Sequence, residues 1–308
     1  MKLVIASGKG GVGKSMLASS LAILFAKSKK IAAVDCDVDA PNLAIWLNEI
    51  KNSGKKTPIV TSAKPVIDYK KCNGCGLCVE KCRFGAIKMI NGKPRTRTSS
   101  VRGRPQLNPF LCEGCGVCEI VCPQGAIKLK PVQNGEIIIK NTKYGFPLII
   151  GNLLPGETGS GKIITELKKQ ADKSGCKLQI LDSSPGTGCP VIAALQDSNF
   201  AILITEPTPS AFSDLKRILK VINHFNLPYE IVINKWDINS EMADKIEKWA
   251  LGHGSGQTGK RILGKISYDK KIFKAVSNLK PIVETKLKAK TEIKRIFKKL
   301  ETILWQDQ

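Results

Sequence analysis

No run of about 18 uninterrupted apolar residues occurs in the sequence, so no segment reads as a membrane-spanning helix. The amino end, Met1-Lys2-Leu3-Val4-Ile5-Ala6, runs straight into glycines and does not read as a cleavable apolar leader. These absences lead to the expectation of a soluble, cytoplasmic chain. Acid is scarce: 26 Asp and Glu stand against 49 Lys and Arg among 308 residues, a formal charge of +23. Such an excess attracts nucleic acid, anionic lipid or an acidic protein, and does not choose among them. Only two histidines are present, His224 and His253, and neither has ligand spacing. Apolar residues make up 42% of the chain, which excludes disorder, and the length suggests about two domains.

An even set of cysteines is also missing. Eleven is odd, which argues against a closed disulfide framework, and eight of the eleven fall between residues 72 and 122. Those eight form two runs, Cys72-Asn73-Gly74-Cys75-Gly76-Leu77-Cys78-Val79-Glu80-Lys81-Cys82 and Cys112-Glu113-Gly114-Cys115-Gly116-Val117-Cys118-Glu119-Ile120-Val121-Cys122. Each cysteine recurs 40 positions later, and so do the sequels Gly85-Ala86-Ile87-Lys88 and Gly125-Ala126-Ile127-Lys128, so a whole folded unit repeats. The spacing C-x2-C-x2-C-x3-C suits a cubane 4Fe-4S cluster, with three thiolates from a tight loop and a fourth further on. Zinc also uses C-x2-C pairs, but it needs four ligands in all and normally takes its pairs from more widely separated stretches.

Residues 64–130 resemble a bacterial two-cluster ferredoxin, in which the fourth cysteine of each run serves the other cluster. The resemblance implies one cluster on Cys72, Cys75, Cys78 and Cys122, and a second on Cys112, Cys115, Cys118 and Cys82. The first run departs from the ferredoxin pattern by ending in Cys82-Arg83, whereas the second ends in Cys122-Pro123. The link 93–104 holds five basic residues, no acid and no aromatic ring on which a base could stack. It therefore suits a solvated loop or a surface for an acidic redox partner better than nucleic-acid binding.

A second motif lies at the amino end. Leu3, Val4 and Ile5 read as a strand, followed by Gly8-Lys9-Gly10-Gly11-Val12-Gly13-Lys14-Ser15 and the helix-compatible run that begins with Met16 and Leu17. Strand, G-x4-G-K-[ST] and helix together make a phosphate loop: backbone N–H groups converge on phosphate oxygens, Lys14 reaches the terminal phosphates and Ser15 offers its hydroxyl to Mg2+. Residues 156–162 and 254–260 also match G-x4-G-K, but neither match is followed by Ser or Thr. Lys162 in the first of these is a minor candidate for touching an anion.

Lys9, directly after the first glycine, resembles the deviant Walker A pattern of the MinD, ParA and nitrogenase iron-protein class of ATPases. The resemblance implies that Lys9 crosses a face-to-face ATP-dependent homodimer to the partner's nucleotide. It also implies that Asp37, in Asp35-Cys36-Asp37-Val38-Asp39 after the apolar strand 31–34, is the catalytic aspartate. Alternating carboxylates there are expected on one side of an extended chain. Leu178-Gln179-Ile180-Leu181-Asp182 corresponds to the Walker B strand, with Asp182 on Mg2+, and residues 183–188 to the switch that senses the γ-phosphate. Asn234, in Asn234-Lys235-Trp236-Asp237, is suited to pairing with adenine; similar N-K-x-D elements read guanine in GTPases, but the deviant class favours ATP.

Nearly the whole chain resembles a MinD-like ATPase carrying an inserted two-cluster ferredoxin. The expectation is an α/β fold, a doubly wound, mostly parallel sheet with an inserted α+β module. Its divisions are 1–63 and 131–308 for the ATPase and 64–130 for the insert. ATP with Mg2+ is expected on Gly8 to Met16, Asp37, Asp182 and Asn234. Related Mrp-type scaffolds carry a bridging cluster on a C-x2-C pair in the carboxyl half; here only Cys176 and Cys189 lie there, 13 apart, and with Cys36 they read as small hydrophobes. The carboxyl end repeats Ile293, Ile296, Phe297, Leu300, Ile303 and Leu304 at helical spacing, which suits docking on its own sheet more than on a membrane. Electron transfer gated by ATP is the first functional expectation. Metallocofactor assembly with a partner protein, or positioning on a membrane, is the alternative.

Overall fold

The structure is a computed structural model that describes residues 1–50, 54–92, 103–252 and 262–305. The repeat at 254–260 and most of the basic link 93–104 lie outside the described residues. Short apolar runs bounded by glycine and polar turns become strands, and the amphipathic runs between them become helices. The chain begins with β1 (Lys2–Ser7), α1 (Lys14–Phe25), β2 (Ile31–Cys36), α2 (Leu43–Trp46) and β3 (Lys55–Ile59). The cysteine-bearing segment follows as β4 (Ser62–Ile67), α3 (Leu77–Glu80), β5 (Ile87–Ile90), β6 (Arg104–Leu107), α4 (Val117–Ile120) and β7 (Ile127–Val132). After it come β8 (Gly135–Asn141), β9 (Pro147–Leu153), α5 (Ser160–Lys173), β10 (Leu178–Pro185), α6 (Cys189–Leu195), β11 (Phe200–Thr205) and α7 (Pro209–His224). The chain closes with β12 (Tyr229–Asn234), α8 (Ser240–Gly252), β13 (Ile262–Ile266), α9 (Lys270–Ser277) and α10 (Lys288–Trp305).

Two compact units result. The first holds Met1–Lys56, Ile137–Asn152 and Ser160–Gln308; the second holds Thr57–Glu136 and Leu153–Gly159, a wider span than the 64–130 expected. In the first unit the sheet runs β13-β12-β11-β1-β10-β2-β9-β8, and the seven strands from β13 to β9 pair in parallel. β2, β11 and β12 are buried at every residue, the continuous apolar pattern of a sheet covered on both faces. The order reverses around β1, which pairs with β10 on one side and β11 on the other. Such a reversal opens a crevice at the carboxyl ends of the strands.

The carboxyl-terminal helix settles on its own unit. Ala289, Ile293, Ile296 and Leu300 of α10 are buried, and Phe297 and Trp305 meet Phe25 of α1 with ring centroids 4.7 and 5.4 Å apart. Among the described residues no helix is long and apolar enough to cross a membrane.

The second unit is built around the repeat. β4 pairs antiparallel with β7, and β5 with β6. The strand before each cysteine run therefore pairs with the strand after the other run. The closing hydrogen bonds repeat as well: Asp68 N–H donates to Ala126 O at 2.7 Å, and Asn108 N–H donates to Ala86 O at 2.7 Å. Gly76 and Gly116, which open α3 and α4, share the left-handed conformation at φ 80° and 81°.

Candidate functional site

A cavity of about 580 Å³ opens at the end of β1. Its floor is the glycine loop, and Gly13 shows why glycine is required there. It takes φ 100°, and a Cβ at this position would come within 2.5 Å of the Asn234 amide nitrogen. α1 starts at Lys14 with no side-chain cap, which leaves first-turn N–H groups free for an anion. Lys14 and Ser15 are both buried beside it.

Asp182 lies one strand away, in register with Ile5 of β1 and Asp35 of β2. Its carboxylate accepts a hydrogen bond from the Ser15 hydroxyl. Burial pushes its pKa up to about 6, against the opposing influence of Lys14 and Ser15. The Oδ1 atom is buried without a hydrogen-bond partner. An orphaned carboxylate oxygen beside a phosphate-loop hydroxyl is the donor set that Mg2+ takes, directly or through water.

The row of alternating carboxylates expected at 35, 37 and 39 does not form. β2 ends at Cys36, and Asp35 turns inward to accept the backbone N–H groups of Asp37 at 3.1 Å and Leu43 at 2.8 Å. Burial, then repulsion from Asp182, raises the Asp35 pKa well above the carboxylate range. Asp39 is exposed. Of the three, Asp37 alone lines the cavity, half-buried, with the Ser184 hydroxyl 3.4 Å from its Oδ1. Burial raises its pKa too, and Lys14 opposes the rise.

Lys9 is held within its own chain. Its Nζ lies 3.0 Å from Glu206 Oε1, while Lys235 Nζ lies 3.0 Å from Glu206 Oε2 and 3.3 Å from the Gly11 carbonyl. Burial works to raise the Glu206 pKa, but the hydrogen bonds from Lys235 and Lys9 outweigh it and hold the carboxylate below its usual range. Asn234 donates from Nδ2 to the Val12 carbonyl at 2.8 Å, so it props the loop as well as lining the cavity. The opposite wall comes from Trp46 and from Tyr268, Asp269, Ile272 and Phe273, at the start of α9. Sequence reasoning passed over these residues and Glu206; the signal available for the wall was the apolar spacing of Ile272, Phe273 and Val276 after a strand. Lys162 is exposed in the first turn of α5 and is not among the lining residues.

In the second unit the eight clustered cysteines separate into two sets around two small cavities. Cys72, Cys75, Cys78 and Cys122 line one; Cys82, Cys112, Cys115 and Cys118 line the other. Burial, with the neighbouring Cys72, Cys75 and Cys122, pushes the Cys78 thiol up to about 11, and burial followed by Cys112 raises Cys118. Among the described residues no three His, Cys, Asp or Glu side chains draw close enough to hold a single metal ion. The remaining cysteines divide. Cys36 is fully buried and Cys176 half-buried, whereas Cys189 is exposed at the start of α6, contrary to the expectation that all three are packed. The reason is its place in the first turn after the loop 186–188, ahead of the buried Val191 and Ala194.

A parallel sheet with a glycine loop at its reversal point, backed by a buried aspartate, defines a P-loop nucleotide-binding protein. The chain belongs to the CobQ/CobB/MinD/ParA nucleotide binding domain family, which it matches over residues 3–282. It is 37% identical over 304 residues to an uncharacterised protein of Methanocaldococcus jannaschii, covering 99% of this chain and 98% of that one. An iron-sulfur cluster carrier protein of Pyrococcus horikoshii is 25% identical over 292 residues, covering 92% and 79%. Among solved structures, the septum site-determining protein MinD of Pyrococcus horikoshii, complexed with Mg-ADP, matches with TM-score 0.57 at 15% identity, covering 100% and 98%. MinD of Aquifex aeolicus matches with TM-score 0.56 at 18% identity, covering 97% and 96%. The fold is MinD-like, and the protein is an ATP-binding ATPase of the MinD/ParA type.

Proposed function

We propose that this ATPase couples a nucleotide-driven dimer switch to electron transfer through two 4Fe-4S clusters. The observation that carries the reading is the division of eight cysteines into two sets, each taking three from one run and the fourth from the other. Two C-x2-C-x2-C runs, each joined at its cavity by a cysteine of the other run, fit a polynuclear cluster better than a lone zinc ion. The clusters would supply one-electron chemistry. The second unit's own residues would hold them, with left-handed turns at Gly76 and Gly116 between the second and third cysteines of each run.

In the nucleotide cleft, the first-turn N–H groups of α1 and Lys14 bind the phosphates, and Ser15 and Asp182 hold Mg2+. Asp37, on the cavity wall, orients the attacking water. Lys9 reaches the partner protomer's nucleotide once it leaves Glu206, so hydrolysis depends on dimerisation. ATP is the nucleotide expected, because the family match joins this chain to MinD and ParA.

A role in cluster assembly is the second reading, favoured by the 25% identity to a cluster carrier. Anaerobic purification, iron and sulfide analysis and low-temperature EPR of the reduced protein test the first reading. About eight iron and eight sulfide per chain, retained in the presence of an apo acceptor protein, support it. Iron that moves to the acceptor on addition of MgATP favours assembly, and stoichiometric zinc in place of iron overturns both.

A further inference from the structure

The internal repeat supplies its own control for what surface each cysteine set requires. Around the set of Cys82, Cys112, Cys115 and Cys118 four large apolar side chains are exposed, beside the charged Lys81, Arg83 and Glu113. Ile120 is 83% exposed, Phe110 72%, Phe84 47% and Leu111 45%. Phe84 lines the cavity of that set; Phe110 and Leu111 lead directly into Cys112, and Ile120 closes the short helix that carries Cys118. Forty residues away along the repeat, the same positions around the other set are Lys70, Lys71, Glu80 and Gln124. All four of these are exposed as well. One fold holds four cysteines with either rim, so the apolar rim is not needed to build the site. Exposed, large apolar side chains gathered near one site are the kind of surface that marks a protein contact.

The occupant follows from charge. With 49 basic and 26 acidic residues in the chain, an acidic protein meets long-range attraction. Exposed Arg83 follows Cys82 beside the rim, while Lys81 on its other side is paired with Glu80 at 2.8 Å. We propose that Phe84, Phe110, Leu111 and Ile120 form the docking surface for a small acidic electron-carrier protein, so that the cysteine set 82/112/115/118 is the port through which electrons pass. The proposal rests on the electron-transfer reading above. The other set, with Lys70, Lys71, Glu80 and Gln124 at the matching positions, lacks these four apolar side chains.

The test exchanges the two rims, with an acidic flavodoxin as the probe. One variant carries Phe110→Lys, Leu111→Lys and Ile120→Glu; the reciprocal variant carries Lys70→Phe, Lys71→Leu and Glu80→Ile. Each substitution installs the residue already present in the sister repeat. Binding of oxidised flavodoxin is measured by titration calorimetry, and sedimentation velocity reports self-association. The expected result is that the wild type binds, that binding weakens between about 50 and about 300 mM salt, that the first variant loses at least tenfold in affinity and that the reciprocal variant does not. No binding by the wild type, equal binding by the first variant, or loss of a self-associated form in that variant in place of flavodoxin binding, each overturns the proposal. A viologen dye, which needs no docking surface, separates the two claims. If protein reduced with dithionite and freed of the excess passes electrons to a dye of higher potential than the clusters but flavodoxin does not bind, the surface assignment falls alone; if that dye receives none, the electron-transfer reading falls, and with it the port.

Discussion

Glu206 spends both carboxylate oxygens on lysines, Lys9 and Lys235, each 3.0 Å away. Lys9 cannot reach another protomer while it stays there, so this pair opposes the dimer that hydrolysis is proposed to need. The Lys9 side chain is 39% exposed, and a pair so solvated is worth about 1 kcal/mol or less. Glu206→Gln is therefore expected to lower the protein concentration at half-maximal ATP turnover by roughly three- to fivefold, with maximal turnover unchanged. Phosphate release measured across a protein dilution series checks this. Because the Glu206 pKa is depressed, the pair is intact above the ordinary carboxylate value and breaks only as pH falls through the lowered one. The wild-type midpoint should accordingly stay flat from about pH 6 to pH 8. Single residues differed in how readily they could be read. The phosphate loop was legible because strand, glycines, lysine and helix constrain one another in sequence. Glu206 was not, because a lone glutamate after a strand has no pattern until folding brings two lysines 197 and 29 positions away onto it.

The repeated pieces α3 and α4, with their flanking strands, were legible as a unit because forty-residue self-similarity survives any uncertainty in propensity. The strand end at β2 departs from its sequence pattern. Alternation of Asp35, Asp37 and Asp39 suggested continued extension, yet Asp35 binds the N–H groups of residues 37 and 43 and bends the chain after Cys36. The crossed pairing of β4 with β7 and β5 with β6 brings each fourth cysteine to the opposite run. Cys82→Ser should therefore disturb the cluster proposed on Cys112, Cys115 and Cys118 and spare the one on its own run. EPR of the reduced variant is expected to keep one of two signals. In α10, Ile296 packs so tightly on β13 that a Cβ at Gly264 would come within 2.5 Å of it. Ile296→Ala should cost about 2–4 kcal/mol in urea unfolding. Flotation with anionic vesicles at about 300 mM salt, which screens the basic excess, should leave the wild type unbound, since the apolar face of α10 is already buried.

At the scale of the molecule, two kinds of information arrived by different routes. The ATPase unit could be anticipated from the order of its motifs along the chain, and the cysteine unit from its repeat. The extent of the second unit was harder to foresee, because residues 153–159 join it from beyond the repeat: Asn134 holds the Thr158 carbonyl at 2.8 Å and Lys64 pairs with Glu157 at 2.8 Å. The central proposal is that nucleotide state in one unit changes the redox behaviour of the other. The most direct test is a spectroscopically monitored reduction titration of the anaerobically purified protein without nucleotide, with MgADP and with MgATP. Coupling predicts a midpoint shift on MgATP beyond about 30 mV, close to 0.7 kcal/mol for one electron. Midpoints that coincide in all three conditions would contradict it.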